Sequence, residues 1–233
     1  MSITLNYWNG RGLMEVPRMM LAIGGKFPPN DYSDARHSAP CQDGLASNLG
    51  RMPVAQIGDE FIGQSAAINF AIASECGLMG ENHIEAAKIL SIQEHVKEMA
   101  TVFGKLCPWG SDMDAETADK WFEGGATDFT GPADGPAREQ RFLKWWAGRI
   151  NECLGDNGFA VGNKLSLADV LLYYAFAEHL RDEEANEGFP SFRREPFTNL
   201  ARTTAVLNTF PRLKASVTAV AENENFKRWL ATR

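Results

Sequence analysis

A glutamine and a serine, Gln64 and Ser65, stand where a predicted β-hairpin runs into a predicted helix. The hairpin is indicated by two short runs with apolar ends, 54–57 and 60–62, joined by a Gly-Asp pair that favours a tight turn. Apolar residues then recur at helical spacing, so Ser65 is the predicted N-cap of a helix that ends at Gly77. The first backbone N–H groups of that helix, helped by its macrodipole, predict an anion-binding site.

A tyrosine is the second residue that could do chemistry. Residues 3–7 alternate apolar and polar side chains, which predicts a half-buried strand that ends at Tyr7. Residues 9–12 break this pattern, and apolar spacing predicts a helix over 13–23 with Pro17 in its first turn. Tyr7 is therefore expected to face the start of the first helix.

Charge and cysteine usage exclude several classes of protein. The 233 residues contain 23 Lys and Arg against 30 Asp and Glu, a net charge of −7 with no basic block, so nucleic acid is not an expected partner. The four cysteines lack CxxC and Cys/His ligand spacing, so neither a disulfide framework nor a metal site is expected. With no signal-peptide pattern and no long apolar run, the chain is predicted to be cytoplasmic, with no membrane partner.

The order of elements predicts two domains. Residues 1–80 combine a strand, a helix, a weak second strand within 27–32, and the hairpin and its helix, which is typical of a small α/β domain of the thioredoxin-like kind. Its lack of CxxC argues against dithiol redox chemistry. From about residue 82 the pattern is helical, with predicted helices over 92–106, 115–122, 143–154, 166–174, 209–213 and 224–231 and irregular excursions within 112–137 and 181–199.

One helix start carries a full capping signature. Ser166 and Asp169 form an S-x-x-D capping box, with Leu165 and Val170 placed as its hydrophobic staple. Asp169 is therefore interpreted as a structural cap and not as a catalyst.

Several segments resemble one family in the same order along nearly the whole chain. They are residues 5–12 (LNYWNGRG) with Glu15 and Arg18 after them, the Pro53 hairpin with Gln64-Ser65, Cys107-Pro108-Trp109, residues 159–169 and Phe210-Pro211-Arg212-Leu213. Together they resemble the glutathione transferases, and in particular the sigma class, which includes glutathione-dependent prostaglandin D synthases and lens S-crystallins. The resemblance implies the glutathione transferase fold, with a thioredoxin-like domain at 1–80 and an all-α domain at 83–233 that carries an electrophile pocket.

The resemblance implies glutathione as the co-substrate, with no metal. In the family, the residue before a cis-proline offers its backbone to the cysteinyl amide, and a Gln-Ser pair holds the γ-glutamyl carboxylate. The matching residues here are Met52, Pro53, Gln64 and Ser65. The alternative is a trans loop proline and a serine that only caps a helix, because only about 5–6% of X–Pro bonds in folded proteins are cis.

The family's chemistry needs a thiolate at neutral pH. A thiol with a pKa near 8.5 is only about 3% ionised at pH 7, and a neutral phenol can stabilise the anion by donating a hydrogen bond. Tyr7 is similar to the family's catalytic tyrosine; the alternative is a strand tyrosine in the core. Arg11 would add positive charge near the thiolate or stabilise the loop; the alternative is an ordinary surface arginine.

By the same resemblance, further residues are assigned to the two ligands. Additional glutathione contacts are expected at Leu13, Arg51 and Glu98, where Glu98 matches an acid near the dimer interface but also fits an ordinary solvated helix face. The electrophile pocket is expected to use Trp8, Gly10, Leu13, Gly104 and Trp109.

The chain departs from the sigma pattern in two places. A Trp and a Lys that hold the glycyl end of glutathione are replaced by Pro40 and Gly44, so either Arg51 or Asn48 takes over or glutathione binds weakly. The second arginine of the opening motif is Leu13, which makes the expected electrophile pocket more apolar.

These observations favour a cytosolic, homodimeric glutathione transferase that conjugates, isomerises or reduces an apolar electrophile or peroxide. A second hypothesis is a non-catalytic, crystallin-like or ligand-binding protein of the same fold. A glutathione-transferase-like domain of a translation complex is less favoured, because the chain has no basic block.

Overall fold

The computed structural model of the chain describes residues 2–108, 111–124, 141–177 and 196–232. These residues form two units. The N-terminal unit contains residues 2–79 and 221–232, and the helical unit contains the described residues from 80 to 220. No described helix is both long and apolar enough to cross a bilayer.

A four-stranded sheet forms the centre of the N-terminal unit. Its strands lie in the order β2-β1-β3-β4, with β1 parallel to β2 and antiparallel to β3, and with β3 antiparallel to β4. The strands are β1 (Ile3–Trp8), β2 (Ser33–His37), β3 (Val54–Ile57) and β4 (Glu60–Gly63). The predicted first strand and hairpin are confirmed, because β1 alternates buried and half-buried side chains and Gly58 has a φ of 60° in the β3–β4 turn.

The prediction of a second strand within 27–32 is wrong. The strand begins at Ser33, and the preceding residues form a turn closed by hydrogen bonds between Phe27 and Asp31. Pro28 and Pro29 explain the difference, since neither has a backbone N–H to donate to a neighbouring strand.

Three helices belong to the N-terminal unit. They are α1 (Glu15–Ile23), α2 (Ser65–Glu75) and α9 (Glu224–Thr232), and α1 contacts both of the others. Every residue of α1 is buried, a short 3-10 turn precedes it, and Pro17 lies in its first turn as predicted. Asn225 donates to the Ile23 carbonyl, and Arg228 lies over the Phe27 ring at 3.9 Å, so α9 is fastened to the end of α1.

The prediction that Ser65 caps α2 is wrong by one residue. Gln64 is the N-cap, with a non-helical backbone and no side-chain capping bond, and Ser65 is the first helical residue. Gly77, predicted to follow the end of this helix, has a φ of 70° just beyond the C-cap residue Cys76.

The helical unit contains six described helices. They are α3 (His83–Leu106), α4 (Ala115–Glu123), α5 (Leu143–Cys153), α6 (Leu167–Phe176), α7 (Leu200–Leu207) and α8 (Pro211–Ala221). Sequence periodicity missed α7, because its buried face consists of Thr203, Val206 and Leu207, too few large apolar residues to produce a clear stripe. Of the predicted excursions at 112–137 and 181–199, residues 125–137 and 181–195 lie outside the described residues, while the described parts contain α4 and a 3-10 turn at Pro196–Thr198.

An aromatic cluster fills the interior of the helical unit. Phe103 of α3, Trp121 of α4 and Phe197 contact one another with ring centroids 5.1–5.3 Å apart, and Phe176 of α6 lies 6.0 Å from Phe197. These tilted and edge-on pairs join three helices that are far apart in sequence.

The predicted capping box at the start of α6 is confirmed. Asp169 is fully buried and accepts four hydrogen bonds: from the N–H groups of Ala160 and Ser166, and from the hydroxyls of Ser166 and Ser216, at 2.7–2.9 Å. Burial raises the pKa of this carboxyl, and the hydrogen bonds oppose that effect. Asp169 thus joins the preceding loop, α6 and α8 at one point.

We expect Asp169→Ala to lower the free energy of unfolding by roughly 3 kcal/mol or more, because it leaves buried donors without an acceptor. Urea denaturation of the full chain measures this loss. Asp114→Ala is the matched control: it removes an exposed N-cap of α4 bonded to Thr117 and should cost only about 1 kcal/mol. Equal losses in the two variants would contradict the central role of Asp169.

Candidate active site

The hydroxyl of Tyr7 lies against the backbone of Gly12. Tyr7 is only 9% exposed, near the end of β1, and a Cβ atom built on Gly12 would lie 2.7 Å from the Tyr7 hydroxyl oxygen. Gly12 also has a φ of +42°, a conformation that favours glycine. The end of the first strand and the loop before α1 therefore meet at this hydroxyl.

Strand register sets Tyr7 in line with two other predicted site residues. Asn6 pairs with Val54, and Val54 pairs with Gly63. Extending both registers by one residue sets Tyr7 opposite Pro53, and Pro53 opposite Gln64. Because neighbouring strands are about 5 Å apart, these three residues form a row about 10 Å long at one end of the sheet.

The middle of this row is a cis peptide bond between Met52 and Pro53. Asn48, which is 4% exposed, donates its side-chain N–H to the Pro53 carbonyl at 2.9 Å and so fixes the turn from inside. Within the described residues, no hydrogen bond uses the backbone N–H or C=O of Met52. This backbone segment can therefore pair with an extended peptide-like ligand, as a sheet edge does.

The last position of the row is a strained helix start. Gln64 is exposed and has φ 65° and ψ 124°, a backbone conformation that is costly for a residue with a side chain and is often found at functional sites. The N–H groups of the first turn of α2, beginning at Ser65, have no acceptor within the helix. This end of α2 therefore suits a carboxylate.

A network of charged side chains connects the loop before α1, α1 itself and β2. Arg11 is 7% exposed, so it is not an ordinary surface arginine, and its Nε lies 3.3 Å from a carboxylate oxygen of Glu15. Arg18 contacts both Glu15 and Asp34, and Asp34 also contacts Arg36. Arg36 is exposed, so the buried and half-buried part of this network pairs Arg11 and Arg18 with Glu15 and Asp34.

Burial disfavours the thiolate form of both cysteines of the N-terminal unit. Burial raises the pKa of the Cys41 thiol, and it raises that of Cys76 to about 11. Burial also raises the pKa of the phenol of Tyr32, which lies near Asp34. A thiolate reaction at this site therefore needs a thiol supplied by a ligand.

The other predicted site residues are divided between the two units. In the N-terminal unit, Trp8 is half-buried, Gly10 is buried, Leu13 is 53% exposed, and the exposed Arg51 directs its Nε toward the Asn48 carbonyl at 3.4 Å. Glu98 and Gly104 lie on α3 of the helical unit, half-buried and exposed respectively. Trp109 lies outside the described residues.

The sequence and the fold of this chain are similar to those of known proteins. Residues 134–233 match the family described as the C-terminal domain of glutathione S-transferase. A Pi-class glutathione S-transferase of Onchocerca volvulus has a similar structure, with a TM-score of 0.67 and 22% identity over 100% of this chain and 94% of that one. Rat hPGDS complexed with a quinoline is also similar, with a TM-score of 0.63 and 18% identity over 100% and 98% of the two chains. The chain has the glutathione transferase fold.

Curated sequences agree with this fold along their whole length. A probable glutathione S-transferase 7 of Caenorhabditis elegans is 25% identical over 98% of this chain and 95% of its own. S-crystallin 2 of Enteroctopus dofleini is 23% identical over 100% of this chain and 97% of its own. The resemblance to the glutathione transferase superfamily, predicted from sequence motifs, is confirmed.

One departure from the sigma-class transferases is built into the local structure. Gly44, which stands where the resemblance expects a lysine, has a φ of 74°, and a Cβ atom added there would overlap the ring of Phe61 on β4. Pro40, at the other expected anchor, is exposed and has no backbone N–H. Phe61 therefore restricts which side chains position 44 can carry.

Sequence reasoning missed two roles. Glu15 and Arg18 were visible only as part of a motif, although two opposite charges three residues apart on a helix with no polar face are a signal for a buried ion pair. The amide of Asn48 gave no signal, because its acceptor, the Pro53 carbonyl, depends on how the intervening loop folds.

We expect Gly44→Ala to lower the free energy of unfolding by about 2 kcal/mol, through overlap with Phe61 and an unfavourable positive φ. Denaturant titration measures the loss. In a Phe61→Ala background the overlap is absent, so the cost of Gly44→Ala should fall and only the backbone contribution should remain. An unchanged cost in that background would mean that Phe61 does not restrict this position.

Proposed function

We propose that this protein is a sigma-like glutathione transferase that uses the thiolate of glutathione to attack an apolar electrophile. The strand register supports this most strongly: continued by one residue, it sets Tyr7, Pro53 and Gln64 in a row at one end of the sheet. These three positions match one extended tripeptide. The phenol lies where the thiol would bind, the open backbone edge where the cysteinyl amide would bind, and the helix N-terminus where the γ-glutamyl carboxylate would bind.

Each part of glutathione has a chemical partner in this proposal. The backbone of Met52 pairs with the cysteinyl amide, and Gln64, Ser65 and the first turn of α2 bind the γ-glutamyl carboxylate. Asn48 already donates to Pro53, so the exposed Arg51 is the better candidate for the glycyl carboxylate.

Tyr7 stabilises the thiolate by donating its O–H to the sulfur anion. The buried guanidinium of Arg11 favours the same anion in this proposal, since Coulomb attraction is stronger in a partly buried site. The sulfur lone pair then forms a carbon–sulfur bond, and the displaced electron pair leaves with a leaving group or is protonated after addition to a double bond. Glutathione-dependent isomerisation and peroxide reduction use the same thiolate.

An apolar electrophile is proposed because of Leu13. Its side chain is 53% exposed directly after Gly12, where the family carries a second arginine. Trp8 and Gly10 are the other proposed pocket residues of the N-terminal domain. By resemblance alone, residues 1–80 are the glutathione-binding domain, and residues 83–233 are the all-α domain that carries the electrophile pocket, with Gly104 and Trp109 among its residues.

We also propose, from the resemblance, a cytoplasmic homodimer with Glu98 near the interface between subunits. Sedimentation equilibrium measures the oligomeric state directly, and a monomer at micromolar concentration would contradict the homodimer.

The role of Tyr7 is tested by the pKa of the bound thiol. The ultraviolet absorbance of the thiolate, titrated against pH with saturating glutathione, should give a pKa well below that of free glutathione. In Tyr7→Phe this pKa should rise by about one to two units, since the hydrogen bond to the anion is lost, and kcat at neutral pH should fall in parallel. An identical thiol pKa in the two proteins would rule out thiolate stabilisation by Tyr7.

The role of Ser65 is tested by affinity. Ser65→Ala should weaken glutathione binding about tenfold in isothermal titration calorimetry, because it removes a hydrogen bond to a charged group. Ser74→Ala is the matched control, since Ser74 lies on the same helix and its hydroxyl donates only to the Phe70 carbonyl at 2.8 Å. Equal affinities of both variants would contradict carboxylate binding at this end of α2.

A non-catalytic binding protein is the second candidate function. The observation that favours it is Gly44, where Phe61 leaves no room for the lysine of the sigma pattern. Saturable glutathione binding with an unshifted thiol pKa would support this candidate over the enzyme, and it would remove the catalytic role of Tyr7.

A further inference from the structure

The guanidinium of Arg18 binds the backbone of the loop that precedes α1. Arg18 is 1% exposed, and its Nη1 donates to the carbonyl oxygens of Gly10 at 3.0 Å and Arg11 at 3.2 Å. One side chain from the first turn of α1 therefore satisfies two consecutive carbonyls of a loop that has no regular secondary structure.

The same guanidinium is anchored on the far side. Its Nε lies 3.0 and 3.1 Å from the two carboxylate oxygens of Asp34, its Nη2 lies 2.9 Å from one of them, and its Nη1 lies 3.2 Å from Glu15. Burial alone would lower the pKa of Arg18, but the charges of Glu15 and Asp34 outweigh it and raise the pKa. The side chain is therefore a permanent cation held by β2 and α1.

This anchoring reaches the Tyr7 hydroxyl through Gly12. Asp34 pairs in register with Leu5, two residues before Tyr7 on the neighbouring strand. Arg18 connects Asp34 to loop 10–12, and Gly12 at the end of that loop contacts the Tyr7 hydroxyl and ring. A chain of charged contacts thus runs from Asp34 on β2 through Arg18 to the loop next to the Tyr7 hydroxyl.

We propose that Arg18 is a positioning residue, which holds loop 10–12 against the Tyr7 hydroxyl in the geometry that thiolate stabilisation needs. The inference rests on the proposed glutathione transferase function. Arg18 acts through the loop and through Arg11, whose ion pair with Glu15 belongs to the same network.

Arg18→Lys is the variant that tests this proposal. It keeps the charge, but a single ammonium nitrogen cannot reach Asp34 and both loop carbonyls together, as the planar fork of arginine does. We expect the bound thiol pKa to rise by about one unit and kcat to fall about tenfold at neutral pH. The Kd for glutathione should change much less, because the contacts proposed at Met52 and Ser65 are untouched.

Arg202→Lys is the control for a generic loss of an arginine. Arg202 of α7 binds two carboxylates, Asp119 at 2.9 Å and Glu123 at 2.6 Å, in the helical unit. The substitution Arg202→Lys should leave the pKa of the bound glutathione thiol unchanged. A thiol pKa in Arg18→Lys equal to that of the wild-type protein would overturn the positioning role.

A readout without glutathione separates failure of this inference from failure of the proposed function. If the wild-type protein does not bind glutathione or does not shift its thiol, the ring resonances of Tyr7 in labelled protein, assigned with Tyr7→Phe, provide the test. The chemical shifts of these resonances should change in Arg18→Lys and stay unchanged in Arg202→Lys. Tyr7 resonances in Arg18→Lys that are identical to those of the wild-type protein would overturn the inference. If circular dichroism shows that Arg18→Lys does not fold, Asp34→Asn replaces it with the same expected and contradicting results.

Discussion

The pairing of β1, β3 and β4 is the constraint on which the candidate site depends. A strand register fixes which residues stand opposite one another, and a slip by one position would turn Tyr7 to the other face of the sheet. The hairpin turn at Gly58 sets the β3–β4 register, and Pro53, which has no backbone N–H, ends the pairing at the point where a ligand backbone can continue it. The candidate site therefore lies at the end of the sheet where strand pairing stops.

A buried charge network at that end is a costly form of structure. Removing one member, such as Glu15 or Arg18, would leave an uncompensated charge in the interior, a loss of typically about 3–5 kcal/mol. Apolar side chains of similar size would fill the same space without that risk. We infer that the network is retained because Arg18 holds the Gly10 and Arg11 carbonyls of the loop before α1 in place.

The parts of the fold with strong local signals could be predicted from the sequence. Alternation over 3–7, the hairpin turn and the Ser166 capping box depend on neighbouring residues, and each was found. The position of β2 and the helix at 200–207 could not be predicted, because their stability comes from partners distant in sequence. The same reason hid the roles of Asn48 and Asp34, whose acceptors and donors come together only after folding.

The packing of Phe61 on Gly44 has a consequence for how this protein can change during evolution. A lysine at position 44 is reached only after Phe61 has been replaced by a smaller residue and the loop has left its positive φ. Each intermediate sequence loses core packing or backbone stability before any ligand contact is gained. Positions 44 and 61 are therefore expected to change together, and lineages that carry this phenylalanine are expected to keep the glycine.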